Sequence, residues 1–237
     1  MSRILRHSNW DALLIALSFA HPLALWLTPS IPLIAVGVWW NSNTISHNFL
    51  HLPFFRSGAA NRAYSLYLSV LLGIPQTLWR ERHLAHHRGQ PLRLSGTPDI
   101  LLETSLVLAL WTSMLAVSPH FFWTTYLPGY AVGLVLCYLH GHFEHAGGTT
   151  SHYGAAYNVP FFNDGYHVEH HERPVAHWTQ LPSLAARDAR VAGERKARDA
   201  AELAARIRIT PRGHGHLGIG RRFCKPFATA VANPATA

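Results

Sequence analysis

The sequence has little cysteine and little charge. Its 237 residues include two cysteines, Cys137 and Cys224. That excludes a disulfide scaffold and leaves no CxxC pair for a zinc ribbon. Charged residues make up 14%, against roughly 25% in a soluble domain. With apolar residues at 49%, the low charge also excludes disorder of the chain as a whole. No internal repeat is visible, and the length fits one domain.

Long hydrophobic runs are present. Trp10–Leu27, Ile31–Leu50, Leu101–Val117 and Phe121–Leu139 each approach the roughly 17–25 residues that cross a bilayer. They form two close pairs, joined by Thr28-Pro29-Ser30 and Ser118-Pro119-His120, and neither connection holds a Lys or Arg. Arg3 and Arg6 precede the first run. Arg56, Arg62, Arg80, Arg82, Arg88 and Arg93 lie between the pairs, and the other basic residues follow Leu139. A net charge of +8 suits nucleic acid or an anionic membrane surface. The one-sided placement selects the membrane and makes the basic side cytoplasmic. It also disfavours the alternative of a soluble four-helix bundle. The first run is not a cleavable signal peptide, because a second apolar run follows almost at once.

The expected fold is therefore all-α: a multi-pass membrane protein with four transmembrane helices in two hairpins and both termini cytoplasmic. Tyr64–Trp79, interrupted by Gly73 and Pro75, is expected to be an interfacial helix rather than a span. Residues 51–100 and 140–209 form a cytoplasmic histidine-rich cap. Within it Ser183–Ile209, Ala-rich with mixed charges, is expected to be an exposed helix. The membrane domain covers residues 1–209, and residues 210–237 form a disordered tail.

Histidine is abundant, with 18 residues. His47 and His51 form an HxxxH at the end of the second run. His83, His86 and His87 form an HxxHH, and His167, His170 and His171 form another. Positions i, i+3 and i+4 share a helix face, while adjacent positions diverge by about 100°, so one helix can serve two ions. His140, His142 and His145 cluster just past the fourth run. All these groups fall on the cytoplasmic side of the topology. Eight box histidines without a cysteine are too many for one tetrahedral ion. They suit two ions of a nitrogen-loving transition metal. Imidazole alone leaves iron, copper and zinc open.

The three boxes in this order, with paired apolar runs before and between them, resemble the membrane fatty acid desaturase/hydroxylase superfamily. Tyr166-His167-Val168-Glu169-His170-His171, followed by Pro174 and Leu181-Pro182, is similar to the third box of bacterial members. The resemblance covers about residues 10–185. It implies a histidine-ligated di-iron centre, two iron ions with O2 as co-substrate, acting on a lipid or acyl chain. It also implies an external electron donor, whether ferredoxin, rubredoxin or haem protein, no nucleic-acid partner, and a bacterial plasma membrane. The implied metal ligands are His47, His51, His83, His86, His87, His167, His170 and His171. The ninth is His145, from the Glu144-His145 element, with His142 or His140 as its rival. Where some desaturases have Asn ahead of this ligand, the chain has Gly141.

Ligand imidazoles need partners on their outer nitrogens. Glu144, Glu169, Asp164 and Asn48 are the candidates, and Asn43 is a further polar residue near the first box. His7, His21, His120, His214 and His216 fit no box and read as structural. His152 and His177 read as outer or surface residues. Trp39, Trp40 and Trp79 either line a substrate channel or belong to an aromatic belt, and Cys137 reads as a small buried apolar residue. The leading expectation is a desaturase-type oxidoreductase, with hydroxylation open. A carotenoid or isoprenoid ketolase or hydroxylase is the alternative within the same chemistry. A membrane metal carrier is the alternative of another class, though a carrier needs ligands along a path through the bilayer.

Overall fold

The computed structural model describes residues 4–91 and 96–209. The expected tail, with Cys224, His214 and His216, lies outside the described residues, as does Arg93. Packing divides the chain into units Met1–Val191 and Ala192–Ala237. In the second unit, residues 192–209 continue a helix that begins at Leu181. The rest of the description concerns the first.

Helix α1 is Asp11–Leu27. After Thr28–Ser30 the chain is helical without a break from Ile31 to His51: α2 (Ile31–Asn41), a π turn (Ser42–Ser46) and α3 (His47–His51). Helix α4 (Gly58–Leu72) begins at Ser57, whose hydroxyl accepts from Ala60 N, and ends at left-handed Gly73. Helix α5 (Gln76–His87) follows Pro75. The expected interfacial helix over Tyr64–Trp79 is thus two helices, because left-handed Gly73 ends one and Pro75 starts the next. Then come α6 (Pro98–Val117), the short α7 (Pro119–Phe121), a second π turn (Phe122–Tyr126) and α8 (Leu127–His145). The last elements are α9 (Ala155–Asn158), α10 (His167–Glu172), a 3₁₀ turn (Trp178–Gln180) and α11 (Leu181–Ile209). Among the described residues the β pairing is a single bridge, Leu5 to Phe55.

Among the described residues two helical stretches are long and apolar enough to cross a membrane: Pro98–Val117 and Pro119–His145. The other two expected spans are helices too, but α1 is shorter, and the stretch Ile31–His51 turns polar after Trp40. Leu108, Val117, Val135 and Trp26 stand exposed on α6, α8 and α1, apolar surface that would invite association in water.

The core has two parts. Leu14, Ile45, Phe49, Phe54, Tyr64 and Leu68 interlock beneath the first box. Ile34, Val38 and Tyr130 join α2 to α8. That second contact depends on Gly129 and Gly133. A Cβ on Gly129 would stand 2.8 Å from Ile34 Cβ, and one on Gly133 would stand 2.8 Å from Val38 Cβ. Small residues four apart let two helices approach this closely. Glu103 of α6 is fully buried. It accepts from Thr77 N at 2.7 Å, Ser65 Oγ at 2.7 Å and Thr77 Oγ1 at 2.9 Å. A carboxylate on a first-turn amide of α5 satisfies a donor that would otherwise be orphaned, and it pins the helix carrying the second box.

Candidate metal centre

The first box follows the π turn. Asn41, Asn43, Thr44 and Asn48 each return a side-chain donor to the carbonyl four residues earlier, at 2.5–2.8 Å. These bonds engage carbonyls where the α ladder is interrupted. Asn48 thus directs its Nδ2 to Thr44 O. Asn43 also reaches Cys137 Sγ at 3.7 Å. Ser46 Oγ donates to Gln76 Oε1, joining the first box to the start of α5. Arg80 Nε donates to Leu50 O at 3.0 Å, a second link between the same elements.

Five histidines converge from three helices. His47 Nε2 is 3.1 Å from His170 Nε2, and His170 Nε2 is 3.2 Å from His51 Nε2. His51 Nε2 is 2.7 Å from His83 Nε2, which is 3.0 Å from His87 Nε2. Their five donor atoms lie within 4.8 Å of one another. A second group adjoins the first. His86 Nε2 is 3.1 Å from His145 Nε2, which is 3.1 Å from His167 Nε2. His171 closes a triangle with His86 and His145. Thus His83 and His87 face one group while His86 faces the other, the division that the HxxHH spacing anticipates.

The donor set fits transition-metal ions. For a metal–nitrogen bond of about 2.1 Å, ligands at right angles stand about 3.0 Å apart and tetrahedral ones about 3.4 Å. The contacts of 2.7–3.2 Å match the first spacing, and five donors exceed a tetrahedral shell. Buried His171 Nε2 has no hydrogen-bond partner among the described residues, which leaves a donor atom to be satisfied. Crowded imidazoles must also be neutral to bind metal. Burial, then the neighbouring rings, lowers His87 to about 3 and His171 to about 4. Burial lowers His167 to about 2 and carries His83 and His170 well below the ordinary value.

Carboxylates meet the outer nitrogens of one histidine in each group. His47 Nδ1 is 3.2 Å from Asp164 Oδ1, and His167 Nδ1 is 3.3 Å from Glu144 Oε1. Both rings leave Nε2 facing the cluster; at His47 the hydrogen bond to Asp164 holds that orientation, whereas Glu144 approaches His167 without hydrogen-bond geometry. Between the two acids stands His140, whose Nε2 is 2.9 Å from Asp164 Oδ2 and 3.3 Å from Glu144 Oε1. Trp39 Nε1 donates to His140 Nδ1 at 3.2 Å, and Tyr157 Oη is 3.0 Å from His140 Nε2. Burial works to raise the Asp164 carboxyl, but hydrogen bonds with His140 and His47 outweigh it and hold Asp164 well below the usual carboxylate range.

The backbone that delivers Asp164 is constrained. Phe162 and Asn163 have φ of 50° and 62°, unusual for residues other than glycine. Asn163 Nδ2 donates to Trp178 O at 3.1 Å, which holds the turn. A Cβ at Gly165 would come within 2.3 Å of His152 O. Strain of this kind persists where surrounding structure fixes it.

Other candidates lie elsewhere. Glu169 accepts from Ser151 Oγ at 2.9 Å and Tyr153 Oη at 2.7 Å, so it fastens the preceding loop to α10 rather than meeting a ring. His142 is exposed and stacks on Tyr138 at 6.2 Å. His177 is buried and pairs with Asp11 at 2.9 Å, tying the start of α1 to the segment after the third box. His21 packs on Gly37, where a Cβ would overlap its ring. His120 and His152 are exposed. The sequence reading missed the bridging part of His140. The signal for it was His140 and Glu144 at i, i+4 on one helix.

A cavity of about 900 Å³ opens beside the histidines. His47, His83, His86, His145 and His167 border it. Leu50, Ile74, Leu78, Trp79 and Leu134 give it apolar walls. Trp79 lines it; Trp39 bonds to His140 and Trp40 to Pro160 O instead. Cys137, half-buried, borders the cavity. A large apolar cavity with convergent polar groups is the form of a small-molecule site.

Residues 100–201 match the family model described as fatty acid desaturase. No curated protein and no solved structure matches the chain. The matched segment holds His145, the third box, Glu144 and Asp164, and the first two boxes lie ahead of it.

Proposed function

We propose that this chain, a member of the membrane fatty acid desaturase/hydroxylase superfamily, is an O2-dependent oxidoreductase that desaturates or hydroxylates a long-chain acyl lipid at a di-iron centre. The observation that carries the reading is the meeting of nine imidazoles, in groups of five and four, at the edge of an apolar cavity. His47, His51, His83, His87 and His170 would hold one iron. His86, His145, His167 and His171 would hold the other. Iron bound there supplies O2 activation and removal of hydrogen from an unactivated C–H bond, and its electrons come from an external carrier protein.

The chain's own groups do the rest. Asp164 fixes the tautomer of His47, so that ring presents a lone pair inward, and Glu144 stands beside His167 Nδ1. His140 lies between these acids and offsets their mutual repulsion. The apolar walls bind the hydrocarbon and exclude water from the reacting carbon. In the membrane, α1 and the helical stretch from Ile31 form one hairpin, and α6 with α8 forms the other. Both termini and the histidines of the three boxes, with His145, face the cytoplasm.

The test is expression in a host of known lipid profile, with mass spectrometry of acyl chains and of added carotenoids, and iron analysis of the purified protein. New double bonds or hydroxyl groups on acyl chains, with two irons per chain, are expected. Products on carotenoids alone would transfer the chemistry to isoprenoids. Zinc in place of iron, with activity intact, would overturn the di-iron assignment.

A further inference from the structure

The geometry points to Arg82 as the anchor for an anionic head group, so that the cavity takes a long-chain amphiphile bearing a carboxylate or phosphate rather than a neutral isoprenoid. The inference rests on the cavity being the substrate site proposed above.

Helix α5 presents one continuous stripe to the cavity. Leu78, Trp79, Arg82, His83 and His86 all line it. Leu78, Arg82 and His86 follow at four-residue spacing and share a face. Hydrocarbon-binding, charged and metal-facing side chains thus succeed one another along one helix. Arg82 is the one lysine or arginine among the described residues lining the cavity.

Neighbouring arginines are already engaged. Arg80 donates to Leu50 O, Arg56 to Leu5 O and Arg88 to Gln90 Oε1. Arg62 is paired with Asp99 at 2.6 Å. Arg82 has no hydrogen-bond or ion-pair partner among the described residues, and it is exposed. A guanidinium offers a planar fork of donors matched to carboxylate or phosphate oxygens. Placed beside apolar walls, it binds an amphiphile's charged end while the chain extends along Leu78 and Trp79. A neutral isoprenoid offers this fork nothing.

The test is equilibrium binding to the full chain in nanodiscs of neutral phosphatidylcholine, which needs no turnover. Hexadecanoate, hexadecyl phosphate and methyl hexadecanoate are titrated against the wild type, Arg82→Gln and Arg82→Lys. Arg82→Gln is expected to raise the Kd of at least one anion tenfold or more while the ester's shifts less than twofold. Arg82→Lys should recover part of the loss. The anion that loses affinity identifies its source as a free acid or a phospholipid. Equal shifts for anions and ester, or no shift for either anion, would overturn the proposal. If Arg82→Gln does not fold, a wild-type preference for both anions below twofold over the ester would overturn it as well. Absence of iron or of oxidised product would count against the function proposed above and leave these binding ratios readable.

Discussion

His140 Nε2 stands 2.9 Å from Asp164 Oδ2 across 24 residues of chain. The other oxygen of Asp164 meets His47, and Glu144 meets both His140 and His167. One buried imidazole therefore links the outer partners of two histidines that belong to different clusters. The acids should act on different ions. Asp164→Asn is expected to weaken the five-histidine site, and Glu144→Gln the four-histidine site, each by about 10- to 100-fold in metal affinity. Iron retained per chain after dialysis against a graded chelator measures this. Wild-type retention of two irons in both variants would refute it.

His145 and His142 lie three residues apart on α8, and their surroundings differ. His145 Nε2 is 3.1 Å from both His86 Nε2 and His167 Nε2, while His142 stacks on Tyr138. His145→Ala should lose about one iron per chain and all turnover, with the protein still inserted. His142→Ala should keep both irons. Metal analysis and product assay of the two variants decide the matter, and the reverse pattern would move the ligand to His142.

Metal-free protein should lose stability on mild acidification. His87, His171 and His167 sit at about 3, 4 and 2 when folded, against about 6.5 unfolded. Between about pH 6.5 and 4 the unfolded chain binds more protons, so folding stability falls as pH falls through that window and is full above it. Urea unfolding in detergent at about pH 7.5, 6 and 5 gives the trend. Identical midpoints at pH 7.5 and 5 would contradict it. Protons also compete with the metal for the same nitrogens, so iron release should begin in the same range.

Gly133 carries a packing prediction. Its missing Cβ would stand 2.8 Å from Val38 Cβ and 3.0 Å from Ala35 O, and backbone cannot yield as a side-chain tip can. Gly133→Val should destabilise by about 1–3 kcal/mol, the usual cost of overpacking. It should lower iron content as well, because α2 leads into His47 and α8 ends at His145. A thermal midpoint and iron content equal to wild type would sink this prediction.

The sequence made the histidine clusters legible because imidazoles that converge from one helix must follow its local spacing. HxxxH and HxxHH are patterns within one turn, and the division of His83 and His87 from His86 follows from 100° per residue. The groups that orient them were less legible. Asp164 reaches His47 from a turn whose left-handed residues, Phe162 and Asn163, carry no glycine signature. Glu169 looked equivalent to Glu144 in sequence, yet Ser151 and Tyr153 occupy it. Four apolar runs were visible as composition. The break at Gly73–Pro75 was visible as chemistry, whereas the π turn at Ser42–Ser46 left only a cluster of short polar side chains. Glu103 lay unnoticed in an apolar run because its partners, Ser65 and Thr77, belong to other helices.

The π turn carries a consequence of its own. Upstream of it, Ile34 and Val38 set the face that α2 turns to α8; downstream, His47 and His51 must face inward at another angle. A turn closed over five residues instead of four supplies the phase difference between these two demands. Removing or adding one residue there would swing the first box by about 100° while every contact upstream stayed in place. The segment should therefore tolerate exchange of its side chains far better than any change in its length. Ser42–Ser46 works as the timing mark that keeps the α2–α8 packing and the direction of the first box in step.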